Sequence, residues 1–327
     1  MTRGFAMFLA LLSAAELLLR WEPVALYFPP RPYHSDEIEL RRRAMRELQQ
    51  SHGRIDVLFV GNSSARTAIS PLVFDRVVAE NSTTRVLSYN GSLSGKPPLA
   101  VSFFLRHFYL EQIQPRAVFE GVTLATLGRP ITRERWDALT GGVLDRAWRA
   151  ERPLDSLRAF GMQHSGLLYY RGVLGATFLD VRSRPRIRFD PFPMDERGFE
   201  PRQNNMRDLS ERDDYLPYEA KALDIDKGLD SIRRTAELCR NRGVEYVLVR
   251  LPEHSSRFLA EDAIYRQYGE RLTGFSRREN IRYLNVVGED VREWSDDRHF
   301  NDSRHLTAPA AVRFTTLLAQ AWLAASR

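Results

Sequence analysis

A chain of 327 residues with 43% hydrophobic and 28% charged residues can bury a core, which excludes a disordered chain and a polytopic membrane protein. Its 48 Lys and Arg exceed its 42 Asp and Glu by six. The arginine clusters "RRRAMR" (Arg41 to Arg46) and "RSRPRIR" (Arg182 to Arg188) read as solvated faces, and no nucleic-acid module accompanies them. One cysteine, Cys239, rules out an intrachain disulfide and a cysteine-built zinc site.

In chain order, Arg3 is followed by an apolar run from Gly4 to Leu19, broken by Ser13 and Glu16 and continued by Trp21 to Phe28. Residues 1–28 are expected to be an uncleaved membrane anchor, with a cleaved signal peptide ending near "SAA" as the rival. The expected placement is single-pass in a bacterial inner membrane, with the remaining domain in the periplasm. "EIELRRRAMRELQQ" (Glu37 to Gln50) predicts a linker helix within 29–52.

From residue 53 to 327 the pattern is α/β. "RIDVLFVG", "TRVLSYN", "RAVFEGVT", "VEYVLVRLP" and "IRYLNVV" are short apolar runs bounded by turn residues and read as strands. Helical stretches separate them, the first with Ser70 as N-cap and Pro71 at its opening position. The rhythm breaks at about 131–215, read as a helical and irregular insertion. These signals predict a three-layer α/β/α sandwich around a mostly parallel five-stranded sheet.

Ligands of open parallel sheets sit beyond the carboxyl ends of the strands. Three loops are expected there: "GNSSAR" from Gly61, "YNGSLSGKPP" from Tyr89, and "GEDVREWSDDRHFNDSRHLT" from Gly288. A serine on such a turn attacks an acyl carbon when a histidine takes its proton and a carboxylate steers the histidine. Two Asp-x-x-His pairs offer this, Asp296 with His299 and Asp302 with His305. Ser63 and Ser64 both stand as nucleophile candidates, and the acidic and histidine residues of the last loop also admit reading as a metal cluster. "RLPEHSSRF" is expected to line the rim through Arg250 and His254. Trp136 and Trp148 of the insertion are candidates for stacking on sugar rings.

In this order the loops resemble the blocks of the SGNH (GDSL-type) hydrolase superfamily, whose core is flavodoxin-like. "FVGNSSART" is similar to its Gly-Asp-Ser block, with Asn62 for Asp and Ser63 at the nucleophile position. "YNGSLSG" is similar to the second block, in which Asn90 precedes an oxyanion-binding glycine, here Gly95. "DSRHLT" is similar to the last, which implies Asp302 and His305 as triad partners. The family's third block carries an oxyanion-binding Asn where this chain has Thr123; Arg66 is a further candidate to reach the site. The leader resembles those of membrane-anchored members linked to surface polysaccharides.

The resemblance implies a serine esterase or O-acyltransferase on acyl, chiefly acetyl, esters of a surface or exopolysaccharide. It implies Ser63 and Gly95 N–H groups at the oxyanion, with Asn62, Asn90 and Arg66 nearby. No cofactor, metal or nucleic acid is expected. The expected partners are a carbohydrate polymer, the inner membrane and a membrane acyl-transfer protein. An inactive scaffold that binds polysaccharide or a membrane partner is the alternative.

Overall fold

The computed structural model describes residues 2–20, 36–94, 98–123, 127, 165, 167, 194–203, 225–254, 262–288, 294 and 296–325. Most of the expected insertion, with Trp136, Trp148 and the Arg182 to Arg188 cluster, lies outside them. The chain divides into two compact units, Met1–Glu39 with Thr132–Pro191 and Leu40–Ile131 with Phe192–Arg327.

In the first unit, helix α1 (Thr2–Arg20) follows the apolar leader. It corrects the expected localisation. No helix among the described residues is long and apolar enough to cross a membrane, so the single-pass inner-membrane placement does not stand. The run from Gly4 to Leu19 is sixteen residues, a helical length of about 24 Å against a hydrocarbon core of about 30 Å. Glu16 interrupts it, and its carboxylate accepts from Ser165 Oγ at 2.9 Å and Leu167 N at 3.1 Å.

In the second unit, five strands form one parallel sheet: β1 (Val57–Gly61), β2 (Ser88–Asn90), β3 (Ala117–Val122), β4 (Glu245–Arg250) and β5 (Arg282–Leu284). Their order is β2-β1-β3-β4-β5 and every pair is parallel. The direction of winding reverses between β1 and β3, so the crevice of this sheet opens at their carboxyl ends.

Both faces of the sheet are covered. On one face Val57, Phe59, Phe119, Val247 and Val249 join one apolar core with Phe74, Phe314 and Leu318. These last come from α4 (Pro71–Asn81) and α9 (Ala308–Ala324). On the other face α5 (Pro98–Phe104) packs with α7 (Ile225–Arg240). A π turn over Leu105–Tyr109 and the short α6 (Leu110–Gln112) complete the crossover to β3. Helix α8 (Asp262–Arg278) leads into β5.

Helix α2 (Asp36–His52) corrects the reading of "RRRAMR" as a solvated face. Arg41 is fully buried and donates to the carbonyl of Asn90 and, at 3.1 Å, to that of Gly198. A buried guanidinium is tolerated where such carbonyls replace its water.

The α7 side of the sheet holds an ionisable group in apolar surroundings. Glu120 of β3 is fully buried and accepts from Tyr246 Oη at 2.7 Å. Burial raises its pKa to about 7, against the opposing hydrogen bonds of Tyr246 and Thr235. The neighbouring Cys239 thiol is pushed up to about 12, by burial first and then by Glu120, so it is no nucleophile at neutral pH.

A carboxyl whose pKa is raised by folding contributes its full stability below the unfolded value and loses it as pH rises through the folded one. Stability should therefore fall between about pH 4.5 and pH 7, by on the order of 3 kcal/mol. Glu120→Gln, which keeps the shape without the charge, is expected to remove that slope. Urea unfolding across this range checks it; an unchanged slope in the variant would refute the assignment to Glu120.

Candidate active site

β1 ends at Gly61, whose φ of +151° is a conformation that side chains rarely adopt. A Cβ at Gly61 would lie 2.6 Å from the Gly121 carbonyl oxygen and 2.7 Å from Ala65 Cβ. Two bare backbones at Gly61 and Gly121 let the next segment fold down onto the sheet end.

That segment is not the expected loop but a short helix, α3 (Ser63–Ala68), capped by Asn62. Asn62 Oδ1 accepts from Ser64 N at 2.9 Å and Ala65 N at 3.3 Å. Asn62 thus caps α3 through its side-chain oxygen. Ser63 occupies the first helical position, where geometry supplies no intrahelical acceptor for its N–H. Ser64 is buried, only 4% exposed.

The partner arrives from the other end of the chain. Phe300 and Leu306 bridge antiparallel, with Asn301 N donating to His305 O at 2.8 Å and Thr307 N to His299 O at 2.9 Å. This turn presents His305 Nε2 at 2.9 Å from Ser63 Oγ. His305 Nδ1 lies 2.7 Å from Asp302 Oδ2. Asp302 Oδ1 accepts from Arg304 N at 2.8 Å and His305 N at 3.0 Å.

Burial tends to raise the pKa of Asp302, but the hydrogen bond and charge of His305 and the two amides outweigh it. The net shift is downward. A carboxylate only accepts, so Nδ1 carries the proton and Nε2 is left to accept from the serine hydroxyl. This is the arrangement in which a hydroxyl loses its proton to imidazole as it attacks.

The rival pair does not form. Asp296 caps the 3-10 turn Asp297–His299 and is held by Arg298, through its N at 2.8 Å and its Nε at 2.8 Å. Those bonds lower its pKa, and His299 faces Trp294 with ring centroids 5.8 Å apart.

Other expected site residues have structural employment. Asn90, fully buried, donates from Nδ2 to Ala65 O at 3.1 Å and Ile69 O at 2.8 Å. Its Oδ1 accepts from Ser92 N at 3.0 Å. It closes the end of α3. Arg250 is buried, donating to Gly288 O at 3.4 Å, and so does not project to a rim. His254 is buried as well, bonded to Asp297 Oδ1 at 2.9 Å and edge-on to Phe300 at 5.4 Å. Thr123 follows β3 directly and is buried. Gly95 lies outside the described residues.

Sequence reasoning missed one contributor, the segment around Glu200 at the end of the expected insertion. Asp195 Oδ1 accepts from Arg197 N and Phe199 N, each at 2.9 Å, in a tight turn completed by Gly198 at φ +80°. The Asp-x-x-Gly spacing of "DERG" is the signal that announces it. Glu200, only 2% exposed, lies with Oε2 2.5 Å from Arg66 Nε and Oε1 2.5 Å from Arg202. Arg66 also donates to Ser94 Oγ at 2.5 Å.

The strand order β2-β1-β3-β4-β5, the serine that opens α3 and the Asp-x-x-His ahead of α9 bring a Ser–His–Asp arrangement to the carboxyl end of a parallel sheet. No protein-family model matches the sequence, and no curated protein matches it. Among solved structures, the chain is similar to a lipolytic protein of the G-D-S-L family from Desulfitobacterium hafniense DCB-2, at 10% identity over 82% of this chain and 99% of the other, with a TM-score of 0.40. It is also similar to esterase EstA from Pseudoalteromonas sp., at 13% identity over 82% and 98%, TM-score 0.42. The acetyl xylan esterase AlAXEase stands at 10% identity over 82% and 99%, TM-score 0.43.

Proposed function

We propose that the protein is a serine-dependent acyl-ester hydrolase or O-acyltransferase. The observation that carries this reading is the unbroken chain Ser63 Oγ, His305 Nε2, His305 Nδ1, Asp302 Oδ2 at 2.9 and 2.7 Å. Ser63 Oγ attacks the ester carbonyl while His305 takes its proton, and Asp302 stabilises the imidazolium. The oxyanion forms beside the Ser63 N–H, and the resemblance implies a second donor at Gly95. His305 returns the proton to the leaving alcohol, and an acyl-serine remains. Water or a sugar hydroxyl, deprotonated by His305, then takes the acyl group and regenerates Ser63.

Acyl esters are the proposed substrate class, with a carbohydrate ester as the first to be tested. Thr123 favours one other reading, a binding scaffold that has lost turnover, since removing one oxyanion donor costs about 10²–10³ in rate. A binding scaffold needs no hydroxyl–imidazole contact.

A fluorophosphonate probe separates the two. Wild type is expected to label and Ser63→Ala not to. Folded wild type that stays unlabelled would leave the scaffold. With an acetyl ester donor, release of acetate or its appearance on an added xylan chain then tells hydrolysis from transfer.

A further inference from the structure

The segment from Asp195 to Arg202 bonds to three elements around the site. Asn90 N, at the end of β2, donates to Arg197 O at 2.8 Å. Glu200 N donates to Arg66 O on α3 at 3.3 Å, and Ala308 N, at the start of α9, to Arg202 O at 2.8 Å. One strap thus runs from the loop carrying Ser94, past the helix carrying Ser63, to the helix that follows His305.

Glu200 is the buried charge at its centre. Its two oxygens each face a different guanidinium, 2.5 Å away. Buried ion pairs are poor stabilisers, because desolvation offsets their attraction and apolar replacements are often as stable. Breaking such a pair strands a buried charge, however, so a carboxylate set between two guanidiniums holds both in place. Arg66 lies one turn after Ser63 and passes that hold on to Ser94 Oγ.

We propose that Glu200 is a positioning residue for acyl transfer. Through Arg66 it sets the nucleophile helix against the loop after β2, and through Arg202 it sets the start of the helix behind His305. The Ser63–His305 separation is therefore fixed by a residue that touches neither. The proposal rests on Ser63 being the nucleophile.

The test compares wild type, Glu200→Gln and the paired Arg66→Met, Glu200→Met variant by fluorophosphonate labelling rate, melting temperature and the ring ¹⁵N resonances of His305. Glu200→Gln should label roughly 10²-fold more slowly, the cost of a misplacement near 1 Å. Its His305 Nε2 resonance should move to the position seen in Ser63→Ala. In the paired variant no buried charge is stranded, so the melting temperature should return towards wild type while labelling stays slow.

Labelling that recovers with the melting temperature would mean that Glu200 acts through stability alone, and the proposal falls. If Glu200→Gln does not fold, Arg66→Lys carries the same measurement, since it keeps the charge but loses the planar fork. A wild type that does not label defeats the nucleophile reading separately. The His305 resonance still decides on Glu200, and one left unmoved in the variant overturns its role.

Discussion

Alanine in place of His305 is expected to slow turnover of an acyl ester by about 10⁴-fold or more, the range seen when one member of such a unit is removed. The loss should fall on kcat, because the imidazole meets the substrate only as the serine attacks. Steady-state hydrolysis of 4-nitrophenyl acetate measures it, and a variant within tenfold of wild type would show that Ser63 is not activated by His305. The same change has a second readout. Asp302 is held below the ordinary Asp value of about 3.9 with His305 as the leading favourable influence. Its stabilisation is present above that ordinary value and lost as pH falls through the lower value in the fold. Without His305, burial is opposed by the two amides alone, so the loss of stability on acidification below about pH 4 should be shallower than in wild type.

Gly61→Ala is expected to cost about 4 kcal/mol or more, since strained backbone and steric conflict coincide there. At φ +151° the new Cβ meets the Gly121 carbonyl oxygen at 2.6 Å and Ala65 Cβ at 2.7 Å. The strands cannot part, because β1 is paired with β3 along its full length and both lie in the core. Adding Ala65→Gly relieves the side-chain contact but not the carbonyl, so it should restore only part of the loss. Urea midpoints of the single and double variants check this. A Gly61→Ala protein as stable as wild type would mean that the turn bearing Ser63 can be built another way.

The frame of this protein is legible in its sequence for a plain reason. Val57 to Gly61 and Glu245 to Arg250 are apolar runs ended by a change of chemistry, and sheets buried on both faces demand such runs. The Asp302–His305 pair is legible too, as a three-residue spacing. Choosing it over Asp296–His299 from the residues alone is harder, because the deciding contact comes from Ser63, 242 residues away.

Other features leave no local trace. Six residues from Ser63 to Ala68 are too few to show a helical period, so α3 reads as a turn and Asn62 as a ligand group. In "RRRAMR" nothing marks Arg41 as the one that enters the protein; its acceptors belong to Asn90 and Gly198. Glu200 hides in an arginine- and aspartate-rich stretch for the same reason. The leader reads as an anchor only by extension through Trp21 to Phe28, and nothing in the sequence shows that Glu16 has partners at Ser165 and Leu167.

The wide separation of Ser63 and His305 also sets when their contact can form. A ribosome adding about 5–20 residues per second needs roughly 10 to 50 s to pass from one to the other. Throughout that time the serine is made and its base is not. Even the seat of Ser63 is unfinished, since Thr315 of the last helix bonds both Ala68 O, at 3.1 Å, and Ser70 N, at 3.0 Å. Whatever ester surrounds the nascent chain, the hydroxyl meets it as an ordinary alcohol until the final helix leaves the tunnel.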